Sequence, residues 1–553
     1  MKIALAQINP TVADLPGNVE RCLDAIETAQ RLDADLVVLP ELAIPGYPPR
    51  DILCDASFTE AVFEATRDLA RRTADGPPAI AGTITPSGHH PPHHPGLYNA
   101  AVLLRGGDVQ LVAAKRLLPT YDVYFEARWF LPGAPASPVT IAGQRIGVLI
   151  CEDLWDDGYD IHPPADLLAA GAELLIGISA SPFRRGTFAH RLAVMRRPHC
   201  PLVYVNLVGA NDELIFDGRS LALDADGNLL AQLPAFEEAV QVVDMDEARG
   251  KGQEARGKRQ EAGEKNLASC ILPPASCISH PASCILHPEE ELFHALVLGI
   301  RDFARKNGIS RAFLGLSGGV DSAVVAVIAA EALGPENVTA VAIPSRYSDP
   351  RSTSCARELA EALGIGFEVV DLEPLHAAAE QALGDLLSSG TETENVQPRL
   401  RTLVLMAYVN RHGGMLLNAS NKTELAVGYS TLYGDTAGTL CPIADLTKPE
   451  VYALANWIQE TKGGPRSRGG PRSRGDIIPR FVIERPPSAE LKPDQVDPFD
   501  YPKIAPLLEQ LIQENRSNAA IRRAEHKRWH MGVVLKVSEK AFGTGRMIPI
   551  TRK

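Results

Sequence analysis

The feature that most limits how this chain can fold is a stretch in its middle that cannot build a core. After Asp246, EARGKGQ (247–253) is followed by its near copy EARGKRQ (254–260). Ala-Ser-Cys-Ile then occurs three times, at 268–271, 275–278 and 282–285. Such tandem copies lack the apolar periodicity of a packed helix or strand and read as linker expansion. The chain has 553 residues, more than one hydrophobic core normally organises. The repeats therefore predict two domains, 1–246 and 289–553, joined by a linker over 247–288. A third duplication, GGPRSR at 463–468 and 469–474, reads as an expanded loop inside the second domain, low in complexity over 463–475. Cys270, Cys277 and Cys284 with His280 and His287 are a conceivable metal set, but their spacing fits no usual zinc pattern. The nine cysteines are odd in number and scattered, which reads as free thiols in a reduced compartment.

Both halves are of the α/β class. In the first, IALAQI (3–8), DLVVLP (35–40), PAIAGTI (78–84), NAAVLLR (99–105), RIGVLIC (145–151), ELLIGISAS (173–181) and LVYVNLV (202–208) read as strands. Residues 18–33 and 57–73 read as helices between them. In the second, an amphipathic helix over 290–307 precedes a strand at 311–316, a helix at 321–333 and further alternation to 420. That order predicts a doubly wound parallel sheet. A net charge of −13 argues against a broad nucleic-acid surface. No apolar run reaches the roughly 18 residues of a membrane helix, and MKIALAQINP lacks a signal-peptide layout, so a cytoplasmic protein is expected. The HHPPHHP run (89–95) reads as an exposed Pro-rich loop rather than a metal trap.

The sharpest motif is Ser317-Gly318-Gly319-Val320-Asp321-Ser322, set between a predicted strand and helix. A Gly-rich turn there aims backbone N–H groups and a helix N-terminus at phosphate. It lacks the Gly-Lys-Ser/Thr ending of a Walker A loop. The motif instead resembles the pyrophosphate loop of the ATP pyrophosphatases, which cleave ATP between the α and β phosphates and adenylate a substrate. LLNASNKTELAVGYSTLYGDTAG (416–438) and CPIADLTK (441–448) resemble the NAD⁺ synthetase signature. That resemblance implies a Rossmann-like domain of the adenine nucleotide alpha hydrolase type. It implies that Asp321 and Glu424 hold Mg²⁺, and that Asp435 and Lys448 lie near the phosphates. Two carboxylates plus phosphate oxygens suit Mg²⁺. Ala419 stands where that family usually has Thr, leaving Ser420 as the nearby hydroxyl for ATP. ENVQPRLR (394–401) resembles the segment that grips deamido-NAD⁺, through Asn395, Arg399 and Arg401. Arginines at i and i+2 do not share a helix face, so one binds substrate while the other pairs structurally. PPSAEL (486–491), Gln495, Asp497 and KVSEKAFGTGRMIPI (536–550) continue the likeness, with Lys536 as a substrate contact. The GGPRSR copies are read as an insert rather than a basic lid.

In the first half Glu41, Lys115 and Cys151 each stand at or just after a strand. A thiol, a carboxylate base and a cation suffice for acyl transfer, but chemistry alone does not select these three. The surrounding words do. VVLPELAIPGY, AAKRLLPTYDVYFEARWF and IGVLICEDLW resemble the nitrilase superfamily and its Glu-Lys-Cys triad. The likeness implies an α-β-β-α sandwich with Glu41 as general base, Cys151 as nucleophile, and Lys115 with the Glu152 N–H at the oxyanion. Glu126 matches a supporting carboxylate; Tyr121 and Ser181 match glutamine-binding positions. Thr187 stands where the synthetase subfamily has a basic residue, leaving Arg184 or Arg185 for the glutamine carboxylate. FDGRS (216–220) is a further family word, structural or at an inter-domain contact.

Together the halves resemble the glutamine-dependent NAD⁺ synthetases. The implied reaction joins glutamine, ATP and deamido-NAD⁺ with Mg²⁺ through an acyl-adenylate. It also implies a shielded ammonia route and a homo-oligomer. The alternatives are another SGGVDS amidotransferase, such as a GMP or asparagine synthetase, a chain with one dead half, or a nucleotide-binding regulator.

Overall fold

The computed structural model describes residues 1–246, 286–388, 390–462, 476–493, 495–516 and 518–543. The repeats at 247–285 and 463–474, with Cys270, Cys277, His280 and Cys284, lie outside the described residues. The chain divides into two compact units, Met1–Asn211 with Phe216–Leu286, and Asp212–Ile215 with His287–Lys553.

The first unit is built on two six-stranded sheets. One runs Ala239–Asp244, Lys2–Gln7, Leu36–Val38, Ala79–Pro86, Leu97–Arg105, Asp108–Ala114 in spatial order. The other runs Leu229–Gln232, Leu221–Leu223, Leu202–Asn206, Leu174–Ser179, Gln144–Ile150, Val139–Ile141. Ile3, Leu5, Val38 and Ile80 of the first form one buried cluster with Ile146, Val148, Ile176 and Val203 of the second. The sheets therefore stack face to face, as two apolar faces must. Helices cover the outer sides: Pro163–Ala169 and Thr187–Met195 supply Leu167, Val194 and Met195 to a second cluster with Leu149, Leu175, Leu202 and Tyr204. On the other side Leu15–Arg31 and Ala56–Arg72 are amphipathic and N-capped by Asp14 and Asp55. This is the expected α-β-β-α sandwich.

The second unit carries a six-stranded parallel sheet, ordered Gly366–Val369, Val338–Ala342, Ala312–Gly315, Met415–Leu417, Leu440–Cys441, Val533–Val534. Numbered along the chain, that order reverses between Ala312–Gly315 and Met415–Leu417. In open α/β sheets a reversal opens a crevice at the carboxyl ends of the strands.

Several elements escaped the apolar patterns. The strand Asp108–Ala114 is mostly exposed and has no buried run to betray it. The strand Ala239–Asp244 pairs antiparallel with Lys2–Gln7, a partner more than 230 residues away. Of the four histidines in 89–95, His89, His90 and His93 are exposed and His94 is half-buried, and no cluster of three or more His, Cys, Asp or Glu side chains that could hold a metal occurs among the described residues. The six described cysteines are free thiols, and no described helix is long and apolar enough to cross a membrane.

Gly82 is where the first sheet meets the segment carrying Glu41. A Cβ there would lie 2.3 Å from Leu42 N and Pro40 O and 2.6 Å from Glu41 Cα. These are backbone atoms that cannot swing aside. Gly82→Ala is expected to cost about 1–3 kcal/mol, the usual range for overpacking a core. Differential scanning calorimetry should show a lower melting midpoint.

Candidate active site

Glu41 lies just past Leu36–Val38, and Lys115 directly follows Asp108–Ala114. Both are buried within the first unit. Glu41 Oε1 accepts hydrogen bonds from Lys115 Nζ at 2.9 Å and Asn99 Nδ2 at 2.7 Å. Its Oε2 accepts from the Ala180 N–H at 2.7 Å. Lys115 Nζ also donates to Glu126 at 2.9 Å, and Glu126 accepts from the Tyr47 hydroxyl at 3.0 Å. Burial opposes the Lys115 charge, but Glu126 and Glu41 hold its pKa well above the usual lysine value. Burial raises the Glu126 carboxyl against the pull of Lys115.

Cys151 ends the parallel strand Gln144–Ile150 and opens a short turn over Cys151–Leu154. Its φ of +46° is left-handed, a conformation that costs an ordinary residue about 1–2 kcal/mol. Such strain persists where surroundings dictate it, commonly at functional sites. Part of that hold comes from Asp153. Its Oδ1 accepts from the N–H groups of Arg116 and Leu117, both at 2.9 Å, and its Oδ2 from Ile150 N–H at 3.2 Å. One carboxylate thus ties the Cys151 turn to the segment that carries Lys115. Burial, reinforced by Glu41, pushes the Cys151 thiol well above its ordinary value despite Lys115 and Ser179. The sulfur rests as a thiol.

Beside Cys151, Glu152 accepts from the Tyr121 hydroxyl at 3.0 Å and the Tyr159 hydroxyl at 2.9 Å. Tyr121 is 52% exposed, so this cluster borders solvent. Ser181 N–H donates to Asn206 Oδ1 at 2.8 Å, and Ser181 O accepts from Asn206 Nδ2 at 3.1 Å. Arg191 forks onto Asp217 at 3.0 and 3.1 Å and also reaches Ser181 O at 3.4 Å. FDGRS is structural here: Asp217 holds Arg191, and Ser220 Oγ accepts from Asn206 N–H at 3.0 Å. Thr187 opens the helix Thr187–Met195 and is buried, its N–H donating to Arg184 O at 2.9 Å.

In the second unit the Ser317–Ser322 turn sits at the sheet's reversal, between Ala312–Gly315 and the helix Val320–Leu333. Gly318 has φ +77°, and a Cβ there would lie 2.4 Å from Ser352 O, so only glycine fits. Ser322 Oγ donates to Gly319 O at 3.0 Å, and Gly319 N–H to Ser317 Oγ at 3.3 Å, shaping the turn. The turn borders a cavity of about 310 Å³ that also takes in Ala419, Ser420, Glu424, Asp435 and Lys448. Lys448 Nζ reaches Asp321 Oδ2 at 2.5 Å and Glu424 Oε1 at 3.2 Å. Burial pushes the Glu424 carboxyl up to about 7; Lys448 opposes the shift and Asp321 adds to it. Burial likewise lifts Asp435 to about 6. Ser420 Oγ donates to Asp435 O at 3.0 Å, beside Ala419.

The remaining expected contacts divide. Arg401 lines the cavity, its Nε on Ile343 O at 3.1 Å. Arg399 is exposed and bonds Leu432 O at 3.2 Å. Asn395 accepts from Thr431 Oγ at 2.6 Å, and Gln495 donates to the Tyr429 hydroxyl at 3.1 Å. Lys536 is buried and donates to the carbonyls of Ser538 at 2.6 Å and Glu539 at 2.8 Å. Asn395, Arg399 and Lys536 are not among the described residues that line the cavity. Asp153 closes the Gly147-Val148-x-x-Cys151-x-Asp153 frame of the sequence but drew no role from it, and Tyr159 and the Glu152 side chain were not singled out. The only signal was their place in and just after the word CEDLW.

The cavity wall suits a cation. Its acidic residues are Asp321, Glu424, Asp435, Glu490 and Asp497, against Arg401, Lys448 and Arg485. Asp321 and Glu424 converge on one point, now taken by the Lys448 ammonium, and fit Mg²⁺ completed by phosphate oxygens.

The carbon-nitrogen hydrolase family matches residues 2–252, and the NAD synthase family matches 292–541. The chain is 38% identical to a glutamine-dependent NAD(+) synthetase of Synechocystis sp., over 100% of this chain and 98% of the relative. It is 37% identical to one of Rhodobacter capsulatus, again over 100% and 98%. Among solved structures, a glutamine-dependent NAD+ synthetase from Acinetobacter baumannii in complex with ADP matches with a TM-score of 0.74. The identity is 27%, over 99% of this chain and 98% of that one.

Burial raises the Asp153 pKa to about 6, from an ordinary value near 3.8. The folded state therefore binds the extra proton between these values, and stability falls as pH rises from about 4 to about 6. Asp153→Asn should lose that part of the slope. Melting midpoints of both proteins across pH 4–7 would check it.

Proposed function

The chain belongs to the glutamine-dependent NAD(+) synthetases, and from that premise we infer how its two units divide one ligase reaction. Glutamine is hydrolysed to glutamate. The ammonia amidates deamido-NAD⁺ through an adenylated intermediate, and ATP is converted to AMP and pyrophosphate. Similarity along the whole chain to NAD(+) synthetases sets aside the GMP and asparagine synthetase readings. One observation carries the division: a buried carboxylate–lysine–carboxylate set beside Cys151 in one unit and a glycine turn with Asp321, Glu424 and Lys448 in the other.

In the first unit Cys151 Sγ attacks the carboxamide carbon of glutamine as Glu41 takes the thiol proton. A raised thiol pKa makes such a base necessary. Lys115 and the Glu152 N–H stabilise the tetrahedral oxyanion. The proton passes to the leaving nitrogen, ammonia departs, and water releases glutamate from the thioester. Glu126 holds Lys115 in place. Glu152 and Tyr121 face the amino-acid end of glutamine, with Ser181, Thr187 and Arg184 or Arg185 toward its carboxylate.

In the second unit Ser317, Gly318, Gly319, Val320 and Ser322 cradle the ATP phosphates, with Ala419 and Ser420 close by. Mg²⁺ held by Asp321 and Glu424 would supply positive charge to the phosphates. Lys448 adds its own charge once it turns from the two carboxylates to the nucleotide. Asn395, Arg399, Arg401, Asp435 and Lys536 belong to the deamido-NAD⁺ side of the proposal, as do a homo-oligomeric assembly and a cytoplasmic location. The substrate carboxylate attacks the α-phosphorus and pyrophosphate leaves. Ammonia then displaces AMP from the acyl-adenylate.

Purified protein with deamido-NAD⁺ and Mg-ATP should form NAD⁺ and AMP from either glutamine or ammonium. Cys151→Ala should lower the glutamine-driven rate by about 10³-fold or more, in line with removal of other catalytic nucleophiles. The ammonium-driven rate should persist. Equal loss with both donors would overturn the division of labour.

A further inference from the structure

We propose that Arg485 grips the terminal phosphates of ATP and that Glu490 keeps it in reserve until they arrive. The inference rests on the nucleotide reading of this cavity and names a residue pair that selects for the triphosphate.

Arg485 and Glu490 both line the cavity beside the Ser317–Ser322 turn. Arg485 Nη1 donates to Ser352 Oγ at 2.6 Å and to Glu490 Oε1 at 3.0 Å. Ser352 Oγ donates to the same Glu490 oxygen at 2.9 Å, closing a triangle. The triangle stands against the phosphate turn, because the Ser352 carbonyl is the atom that leaves room only for glycine at 318. The two side chains are 12% and 17% exposed, reachable from the cavity without being free in solvent.

The other two cations of the wall also have partners. Lys448 lies between Asp321 and Glu424, and the Arg401 Nε is on a backbone carbonyl. Arg485 makes both of its bonds through one terminal nitrogen, so its planar fork keeps donors for a bidentate phosphate contact. The ring of Phe481, 5.5 Å from the guanidinium carbon, gives that fork a flat seat. Glu490 is the counterweight. Its φ of +48° is left-handed, and its N–H donates to Ser488 Oγ at 3.1 Å. A carboxylate held there repels arriving phosphates and competes with them for Arg485. Removing the Glu490 charge should therefore tighten triphosphate binding, and removing Arg485 should weaken it. A mere brace between 485–490 and the helix at Ser352 would lose affinity in both variants.

The test is calorimetric titration of the full chain, in Mg²⁺, with α,β-methylene-ATP, which resists cleavage at the bond this enzyme breaks. AMP, which lacks the terminal phosphates, is the second probe. Arg485→Ala is expected to weaken the triphosphate analogue by about tenfold or more, the worth of a charge-assisted hydrogen bond, and to leave AMP unchanged. Arg485→Lys should recover part of the loss, and Glu490→Gln should bind the analogue more tightly than wild type. Unchanged analogue affinity in Arg485→Ala, an equal loss for AMP, or weaker binding by Glu490→Gln would each overturn the proposal. Should Arg485→Ala not fold, the sign of the Glu490→Gln effect decides by itself. A wild-type chain that ignores the analogue but binds AMP would overturn the latch alone. Binding of neither would overturn the nucleotide reading and the latch with it.

Discussion

The Lys115 ammonium lies buried between the carboxylates of Glu41 and Glu126, and the first unit's chemistry is arranged around it. Isolated, any of the three charges would be expensive to bury; together they satisfy one another. Removal of one partner from such a set typically costs about 3–5 kcal/mol, because a charge is left stranded. The set also fixes geometry. Glu41 is held by Lys115, Asn99 and the Ala180 N–H at once, so its carboxylate has little freedom to turn. In the proposed mechanism a base so constrained needs its nucleophile delivered to it. The left-handed turn at Cys151 and the Asp153 bonds across to Arg116 and Leu117 supply that delivery.

The second unit repeats the arrangement with a different purpose. Lys448 also sits between two carboxylates, but Asp321 and Glu424 border a cavity instead of a closed core. Here the ammonium stands where two acids converge on a site suited to a divalent ion. The surplus of acids over bases in the wall means that an unaccompanied triphosphate meets net repulsion. On the proposed function, nucleotide and metal would then enter together.

Residues adjacent in sequence were the most legible. Ser317–Ser322 announced its strand–turn–helix setting, and CEDLW the strand end that carries Cys151, because each word is short and its setting is local. What escaped depends on distant pairing. Asp153 gains its meaning from N–H groups more than 30 residues upstream, and the strand Ala239–Asp244 from a partner at the other end of its unit. The Arg399 and Arg401 pair shows the boundary well. Helical periodicity required the two to face different ways, but only the fold shows that Arg401 has the cavity and Arg399 the surface. Lys536 is the reverse case. Its word was recognisable, while its ammonium bonds nearby carbonyls away from the cavity wall.

The first and last strands of the first unit lie side by side, Lys2 opposite Asp244. The sheet therefore ends beside the strand that begins it, and the Met1 amino group donates to the Asp246 carboxylate. The tandem copies start at the very next residue. In general, each doubling of a loop's length costs only about 0.6 kcal/mol of closure entropy. The copies at this address lie outside the strand register that builds the sheet. In the strands themselves, one added residue would turn every following side chain to the wrong face. The architecture thereby sorts mutations by address: it preserves length within the sheets and lets it drift between the halves.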